Sequence, residues 1–357
     1  MHWENCQLPM NPRRFASFWL ARSRLVWVSS LSTSNRRTLI LCEALALRLF
    51  TEPKLSMTRR TLFCTLAALV TFYPAAARAQ GPSARDYLNT PIYQVRFFTD
   101  FMASNGQTAS SSDLALPNNV TVARNGFVTL LYSFPLGDKY GGLQLGGGYA
   151  KVKVNGPFGK VQTTGFTDPT LTFHANFFGA PAVRLEDWPR VTPQTYSSFH
   201  LTVGAPLGSY DRNSPVNTGG NRWSFVPVLN LDITPDKGVS WIDLYAGGRF
   251  VTNNKAYQGN NVLSQNPLGV LTAHYSHNIG KQMWASIGVH YDNGGRSFVN
   301  QVPQNDYANG FRPGISVARR VRKFVVVLHY ESTGSRANAA PTSGLLSLRI
   351  AGPVYPF

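Results

Sequence analysis

From residue 91 onward the chain alternates apolar and polar side chains in short runs, separated by stretches rich in Gly, Asn, Ser and Pro. In the run from Phe166 to Phe177, Leu171, Phe173, Ala175 and Phe177 share one phase, and Thr170, Thr172, His174 and Asn176 share the other. A period of two marks a strand with one apolar and one polar face. Twelve such runs are read: 91–102, 124–136, 142–154, 166–178, 196–206, 222–234, 239–252, 268–279, 282–292, 311–321, 323–332 and 343–351. Ten and fourteen are the neighbouring counts.

The connections between runs alternate in length. Those at 137–141, 235–238, 280–281 and Arg322 are tight, whereas 103–123, 155–165, 207–221, 253–267, 293–310 and 333–342 are long. The stretch 179–195 falls where a short turn is expected. It reads either as an excursion at the short-turn end or as a strand pair miscounted.

A soluble β-sandwich also alternates, but three features point elsewhere. Several runs reach the roughly 9–11 residues that a tilted strand needs to cross a bilayer. Aromatics (Tyr93, Phe134, Trp223, Trp241, Trp284, Tyr291, Tyr330) fall near run ends, as interfacial girdles do. Export is also encoded. The expected fold is therefore an all-β, antiparallel transmembrane β-barrel, since closure leaves no unpaired edge in lipid. In that architecture short turns face the periplasm and long loops face outward.

The export signal lies inside the chain. Met57 precedes Arg59 and Arg60, an apolar core from Leu62 to Tyr73, and then Ala77-Arg78-Ala79. This is the order of a signal peptide cut before Gln80, and its core is shorter than the about 20 residues of a membrane-spanning helix. The rest of a twin-arginine motif is missing, so the general secretory route is expected, followed by insertion through the barrel-assembly machinery. Residues 1–56 hold Arg13, Arg14, Arg22, Arg24, Arg36 and Arg37 with no sustained period. They are read as a non-native upstream extension, with translation starting at Met57, and residues 80–357 as the outer-membrane barrel. A peptide from 15–50 in the exported protein would contradict this.

Charge changes the picture little. The formal net charge is +17, but 11 of the 34 Lys and Arg residues lie within 1–79. The remainder is dispersed apart from Arg319, Arg320, Arg322 and Lys323, placed at a periplasmic turn, so nucleic acid is not an expected partner. Outer-membrane lipid and small-molecule solutes are. Cys6, Cys42 and Cys64 all precede the expected cut, leaving the mature part without a disulfide, which a closed ladder does not require.

Putting each run's apolar phase toward lipid turns the other phase inward. Leu229, Leu231 and Ile233 then face out, with Asn230 and Asp232 inside. Ile242, Leu244, Ala246 and Phe250 face out, with Asp243, Tyr245 and Arg249 inside. The same phase brings in Arg96, Asp100, His174, His200, His274, His290, His329 and Glu331. These are the candidate lumen-lining residues. Five inward histidines could bind a transition metal or sense pH, yet histidines on separate strands have no ligand spacing. They serve equally as polar filler, as do Asp232, Asp243 and Arg249 as a wall-lining charge network. No metal or other cofactor is expected.

Enzyme motifs are missing: there is no Gly-x-Ser-x-Gly, His-Glu-x-x-His, paired Cys or phosphate loop. Gly146-Gly147-Gly148 reads as a bend or close backbone approach. A lipid-facing Ser–His pair would suggest a barrel lipid hydrolase, but His277 has no evident serine partner in sequence. The chain is read as not an enzyme.

Several stretches carry a family likeness. Gly165-Phe-Thr-Asp-Pro169 is followed by Leu207-Gly-Ser-Tyr-Asp211 and Val216-Asn-Thr-Gly-Gly-Asn-Arg-Trp223. With 253–259 and the Arg312-Pro-Gly314 strand start, they resemble the outer-membrane family described as "MetA-pathway of phenol degradation" or "transporter". The likeness spans roughly 90–350, and 207–223 is its most specific part. It implies a facilitator for aromatic or otherwise hydrophobic compounds; the residues themselves support a polar, charged lumen. Phe357 is an aromatic last residue, as in many barrels, although Pro353 and Pro356 interrupt the final ladder.

The expected function is passive uptake of small compounds through an outer-membrane channel, past a constriction formed by Asp243, Arg249, Asp232 and Arg96. Loops 103–123 and 293–310 are expected to fold over the mouth. The alternative is a structural or surface-interaction barrel with a plugged lumen.

Overall fold

The computed structural model describes residues 82–106, 120–156, 159–304, 306–333 and 343–354. The expected upstream extension, the signal peptide, the middle of loop 103–123 and Phe357 lie outside the described residues.

Seventeen strands are described: β1 (Val95–Gly106), β2 (Val120–Leu136), β3 (Lys139–Gly156), β4 (Gly159–Phe166), β5 (Thr170–Gly179), β6 (Tyr196–Gly204), β7 (Ser224–Ile233), β8 (Ser240–Val251), β9 (Asn254–Tyr257), β10 (Asn261–Gln265), β11 (Leu268–Ile279), β12 (Met283–Gly294), β13 (Ser297–Val299), β14 (Val302–Pro303), β15 (Ala308–Val321), β16 (Phe324–Thr333) and β17 (Ser343–Pro353). Each barrel strand pairs antiparallel with its neighbours, and the ring closes between first and last, from Arg96↔Pro353 to Asn105↔Gly344. Twelve strands build the wall: β1–β3, β5–β8, β11, β12 and β15–β17.

Side chains sort by direction as the alternation predicts. Leu229 is 54% exposed and Phe177 is 60% exposed, while His200, Asp232, Asp243 and His290 are wholly buried. Leu171 and Leu244 are exposed and Leu231 half-exposed. This is a water-soluble protein inverted, as lipid outside the ring requires. Among the described residues, the buried apolar cluster is small and lies beyond the wall: Ala123, Val152, Val154 and Val216, with Val161 packed on it.

The outward phase of β3 shows where lipid ends. Leu143, Leu145 and Tyr149 are exposed, and then Lys151 and Lys153 take the same phase. Tyr149 meets Phe166 edge to face at 5.5 Å, forming an aromatic boundary. Beyond it β2, β3 and β4 project as a ribbon with apolar residues inside and charges outside.

That ribbon corrects one expectation. Residues 155–165 are not a long loop, because β4 runs back along β3 from Gly156↔Gly159 to Tyr149↔Phe166. After a break at 167–169, β5 continues along the same edge of β3, so β4 adds no thirteenth stave. Loops 253–267 and 293–310 likewise contain structure: β9, β10, β13 and β14 form a separate four-stranded sheet at the long-loop end.

The stretch 179–195 is an excursion at the short-turn end, with a single 3-10 turn at Trp188–Arg190, so the count stays at twelve. Trp284, whose ring lies 5.0 Å from the Arg85 guanidinium inside the barrel, is an exception to the girdle assignment, and so is Trp241. Trp241 is buried against Tyr196, with ring centroids 6.2 Å apart, because its phase on β8 is inward. The Gly146–Gly148 run is a close approach: a Cβ at Gly148 would lie 2.5 Å from the Gly126 carbonyl. The two-residue turn after Val321 holds Arg322 at φ +55°, the left-handed geometry such hairpins need.

Candidate functional site: a lumen divided by the N-terminal segment

Residues 91–94 are not the start of the first strand. Residues 82–94 form a segment inside the ring, and Tyr93, at φ +59°, turns the chain from that segment into β1. Ser133 fixes the turn: its hydroxyl donates to the Pro91 carbonyl at 2.7 Å, and its carbonyl accepts the Tyr93 N–H at 2.7 Å.

The segment is bonded to much of the ring. The Arg85 backbone N–H donates to Asp243 at 2.9 Å, and its guanidinium reaches Ser276 at 2.8 Å and Asn278 at 2.7 Å. Tyr87 stacks on His200 at 3.7 Å, and its carbonyl accepts the Tyr196 hydroxyl at 3.0 Å. Asn176 donates to the Asn89 side-chain oxygen at 3.2 Å, and His274 Nε2 donates to the Pro82 carbonyl at 2.9 Å. Asp86 pairs with Arg349 of β17, whose Nε also donates to Asp100 of β1 at 2.6 Å.

Among the described residues, two cavities flank this segment. One, of about 410 Å³, opens among Thr170, Thr172, Thr202, Arg249 and Thr272 toward the long-loop end. The other, of about 380 Å³, lies among Arg85, Arg96, Lys281, Trp284 and Arg320 toward the short turns. Asp86, Tyr87, Phe98, Gln144 and Arg349 wall both, so the division runs through the Asp86–Arg349 pair. Lining the inner cavity are five cationic side chains, Arg85, Arg96, Lys281, Arg320 and Arg349, and one carboxylate, Asp86.

A second charge cluster is built wholly from the wall. Arg312 of β15 grips Asp292 of β12 with two bonds, at 2.8 and 3.1 Å, and also pairs with Glu331 of β16. His290 Nε2 lies 3.2 Å from Glu331, and its Nδ1 lies 2.9 Å from the Thr272 hydroxyl. His329 Nδ1 is 2.9 Å from Ser316. A Cβ at residue 288 would fall 1.8 Å from His274, so Gly288 makes room for that imidazole.

The residues expected to line the lumen are thus distributed. His290, His329 and Glu331 meet in one cluster, and His174 lies against His200, ring centroids 4.1 Å apart. Asp232 and Asp243 are register neighbours on β7 and β8. Asn230 is buried and takes the Ser198 hydroxyl. Arg96 lines the inner cavity; Asp100 and Arg249 line the outer one. His274 holds the N-terminal segment. No three His, Cys, Asp or Glu groups among the described residues are placed to hold a metal ion.

His277 does have a serine partner. The β8–β11 register sets it opposite Ser240, whose hydroxyl is 2.8 Å from His277 Nδ1. Yet the nearby carboxylate, Asp236, accepts the Ser240 backbone N–H at 2.6 Å rather than orienting the imidazole. That bond holds the exposed Asp236 carboxyl below the usual carboxylate range. The pair lacks the third group that a nucleophile–base arrangement uses.

The most specific sequence segment locks the long-loop end. Asp168 accepts the N–H groups of Gly208 and Gly220, each at 2.8 Å. Tyr210 donates to the Ala256 carbonyl at 2.9 Å and accepts from Asn254 at 2.8 Å. Replacing Asp168 with Ala leaves both amides unpaired and should cost about 1–3 kcal/mol locally. Faster proteolytic cleavage within 207–221 of the refolded variant is the expected observation, and an unchanged rate would contradict it.

A family model described as "Putative MetA-pathway of phenol degradation" matches residues 89–350. The chain belongs to this family. The COG4313 outer membrane channel from Pseudomonas putida F1 has a similar structure, with a TM-score of 0.65 and 17% identity over 76% of this chain and 100% of that one. At that identity the likeness shows the fold, an outer-membrane barrel. The Pseudomonas putida toluene transporter TodX matches with a TM-score of 0.40 and 6% identity over 73% of this chain and 88% of that one. No curated protein matches in sequence. The first of these structures is an outer membrane channel, and the shared barrel fold is in keeping with a bacterial outer-membrane location and a wall in contact with lipid.

Proposed function

We propose that the chain is a passive outer-membrane channel for small compounds, gated by its own N-terminal segment. The observation that carries this reading is the pair of lumenal cavities meeting at the Asp86–Arg349 contact. Their walls are polar and charged, so solutes pass a wet constriction rather than an oily one. Family membership supports aromatic or otherwise hydrophobic compounds as cargo; the P. putida toluene transporter is a structural likeness only. Arg249 and Arg96 would line the path on either side of the constriction, with Asp232 and Asp243 beneath the segment. Outward transfer to the membrane would be by the general secretory route and the barrel-assembly machinery, after removal of the signal at 57–79.

Planar-bilayer recording of the refolded mature chain, with uptake by cells bearing or lacking the gene across a panel of aromatic compounds, tests this. The excess of cationic groups around the inner cavity should make the reversal potential in a salt gradient favour anions. Changing Arg320 and Lys281 together to Glu should move it toward cations, and an unchanged potential would remove the inner cavity from the path.

One specific observation favours a second reading. Because the segment bonds to so many strands, the barrel could be a permanently plugged structural element. It would then show no conductance under any voltage.

A further inference from the structure

A third cavity, of about 240 Å³, lies at the short-turn end. It lies between the 179–195 excursion, the N-terminal segment and the barrel wall, and it is open on one side. Leu88, Pro181, Trp188, Val191, Tyr196 and Trp241 form its apolar surface, and no charged side chain lines it. This contrasts with the cationic inner cavity next to it.

The walls are held in place. The excursion pairs with the β2–β3 turn through Lys139↔Pro181 and through the Ala182 N–H to the Asp138 carbonyl at 2.9 Å. The Ile92 N–H donates to the Val183 carbonyl at 2.9 Å, and Thr195 takes the Thr234 N–H at 3.2 Å. Leu88, Asn89 and Trp188 line both this cavity and the inner one, so these side chains form the partition between the two.

Asn89 gives the site a polar handle. Its side-chain oxygen accepts from Asn176, but its buried Nδ2 has no hydrogen-bond acceptor among the described residues. An unmet buried donor is costly and is well matched to a ligand oxygen. Size narrows the ligand further. An apolar cavity of roughly 150 Å³ accommodates benzene, and drug-sized ligands need roughly 300 Å³ or more.

We propose that this cavity binds an uncharged, single-ring solute through stacking on Trp188 and Trp241 and one hydrogen bond from Asn89 Nδ2. The site would hold solute as it leaves the inner cavity. It rests on the channel reading for its purpose but not for its detection, because binding is measured without transport.

The test uses 4-fluorophenol and fluorobenzene as probes, followed by fluorine NMR on the refolded mature chain in detergent. Saturable 4-fluorophenol binding is expected. Ala180→Trp fills the cavity and should weaken both probes at least tenfold. Asn89→Leu should weaken 4-fluorophenol several-fold more than fluorobenzene, a difference that general loss of packing would not produce. Val302→Ala, on the distant rim sheet, should change neither. Heat-modifiable electrophoretic mobility checks that each variant is folded. Non-saturating uptake matching empty micelles, or equal affinity in Ala180→Trp, would overturn the proposal. Conductance without probe binding would remove this site and leave the channel reading standing; binding without conductance would do the reverse.

Discussion

Removing residues 82–90 from the mature chain should raise single-channel conductance by roughly threefold or more, because it joins two cavities into one continuous lumen. The barrel should survive the deletion. Its closure depends on the β1–β17 ladder, which begins beyond the deleted residues, and Arg349 keeps Asp100 as a partner when Asp86 is gone. The Asp243 carboxylate loses the Arg85 N–H but, with its neighbour Asp232, becomes hydrated by the opened lumen, so no buried charge is stranded. A folded deletion variant with wild-type conductance would mean that the segment does not obstruct the path. Zero conductance in both proteins would favour the structural barrel.

The second large effect is on stability. Arg312→Ala should destabilise the barrel by about 3–5 kcal/mol, the usual result of removing one partner from a buried ion cluster. Asp292 and Glu331 would be left facing each other with side chains only 5% and 3% exposed. The remaining neighbours, His290 and His329, are oriented by Thr272 and Ser316 and compensate only when protonated. Replacing Arg312, Asp292 and Glu331 together by Leu should recover most of the loss, since desolvating three charges offsets much of their attraction. Urea unfolding in lipid vesicles measures both variants. Equal stability of Arg312→Ala and wild type would show that the cluster is hydrated rather than buried.

Much of the wall was legible because lipid imposes a two-residue period on every stave. Leu229 against Asn230, or Leu244 against Asp243, is decided by a single physical choice, so phase alone oriented them. Arg349 was missed as an inward residue, although Leu346, Leu348 and Ile350 set an outward phase that leaves it inside. Its importance was hidden as well, because its partner Asp86 sits on a segment with no period at all. Asp86 and Tyr87 act through contacts with residues over 100 positions away, which local patterning does not encode. Residues 155–165 were misread for a related reason. Past the aromatic boundary the rule inverts, and Lys160, Gln162 and Thr164 look like loop unless water is taken as the outer solvent. Likewise His277 gained its serine neighbour only through strand register, which alternation within one strand cannot supply.

The sorting of side chains between lipid and lumen can be measured most directly by spin-labelling single cysteines along 225–233 in a chain of residues 80–357, which contain no cysteine. In a bilayer, labels at Phe225, Pro227, Leu229, Leu231 and Ile233 should be accessible to oxygen, and those at Val226, Val228, Asn230 and Asp232 should not. The opposite phase, no alternation, or a protein that stays soluble without detergent would contradict a barrel whose apolar face meets lipid.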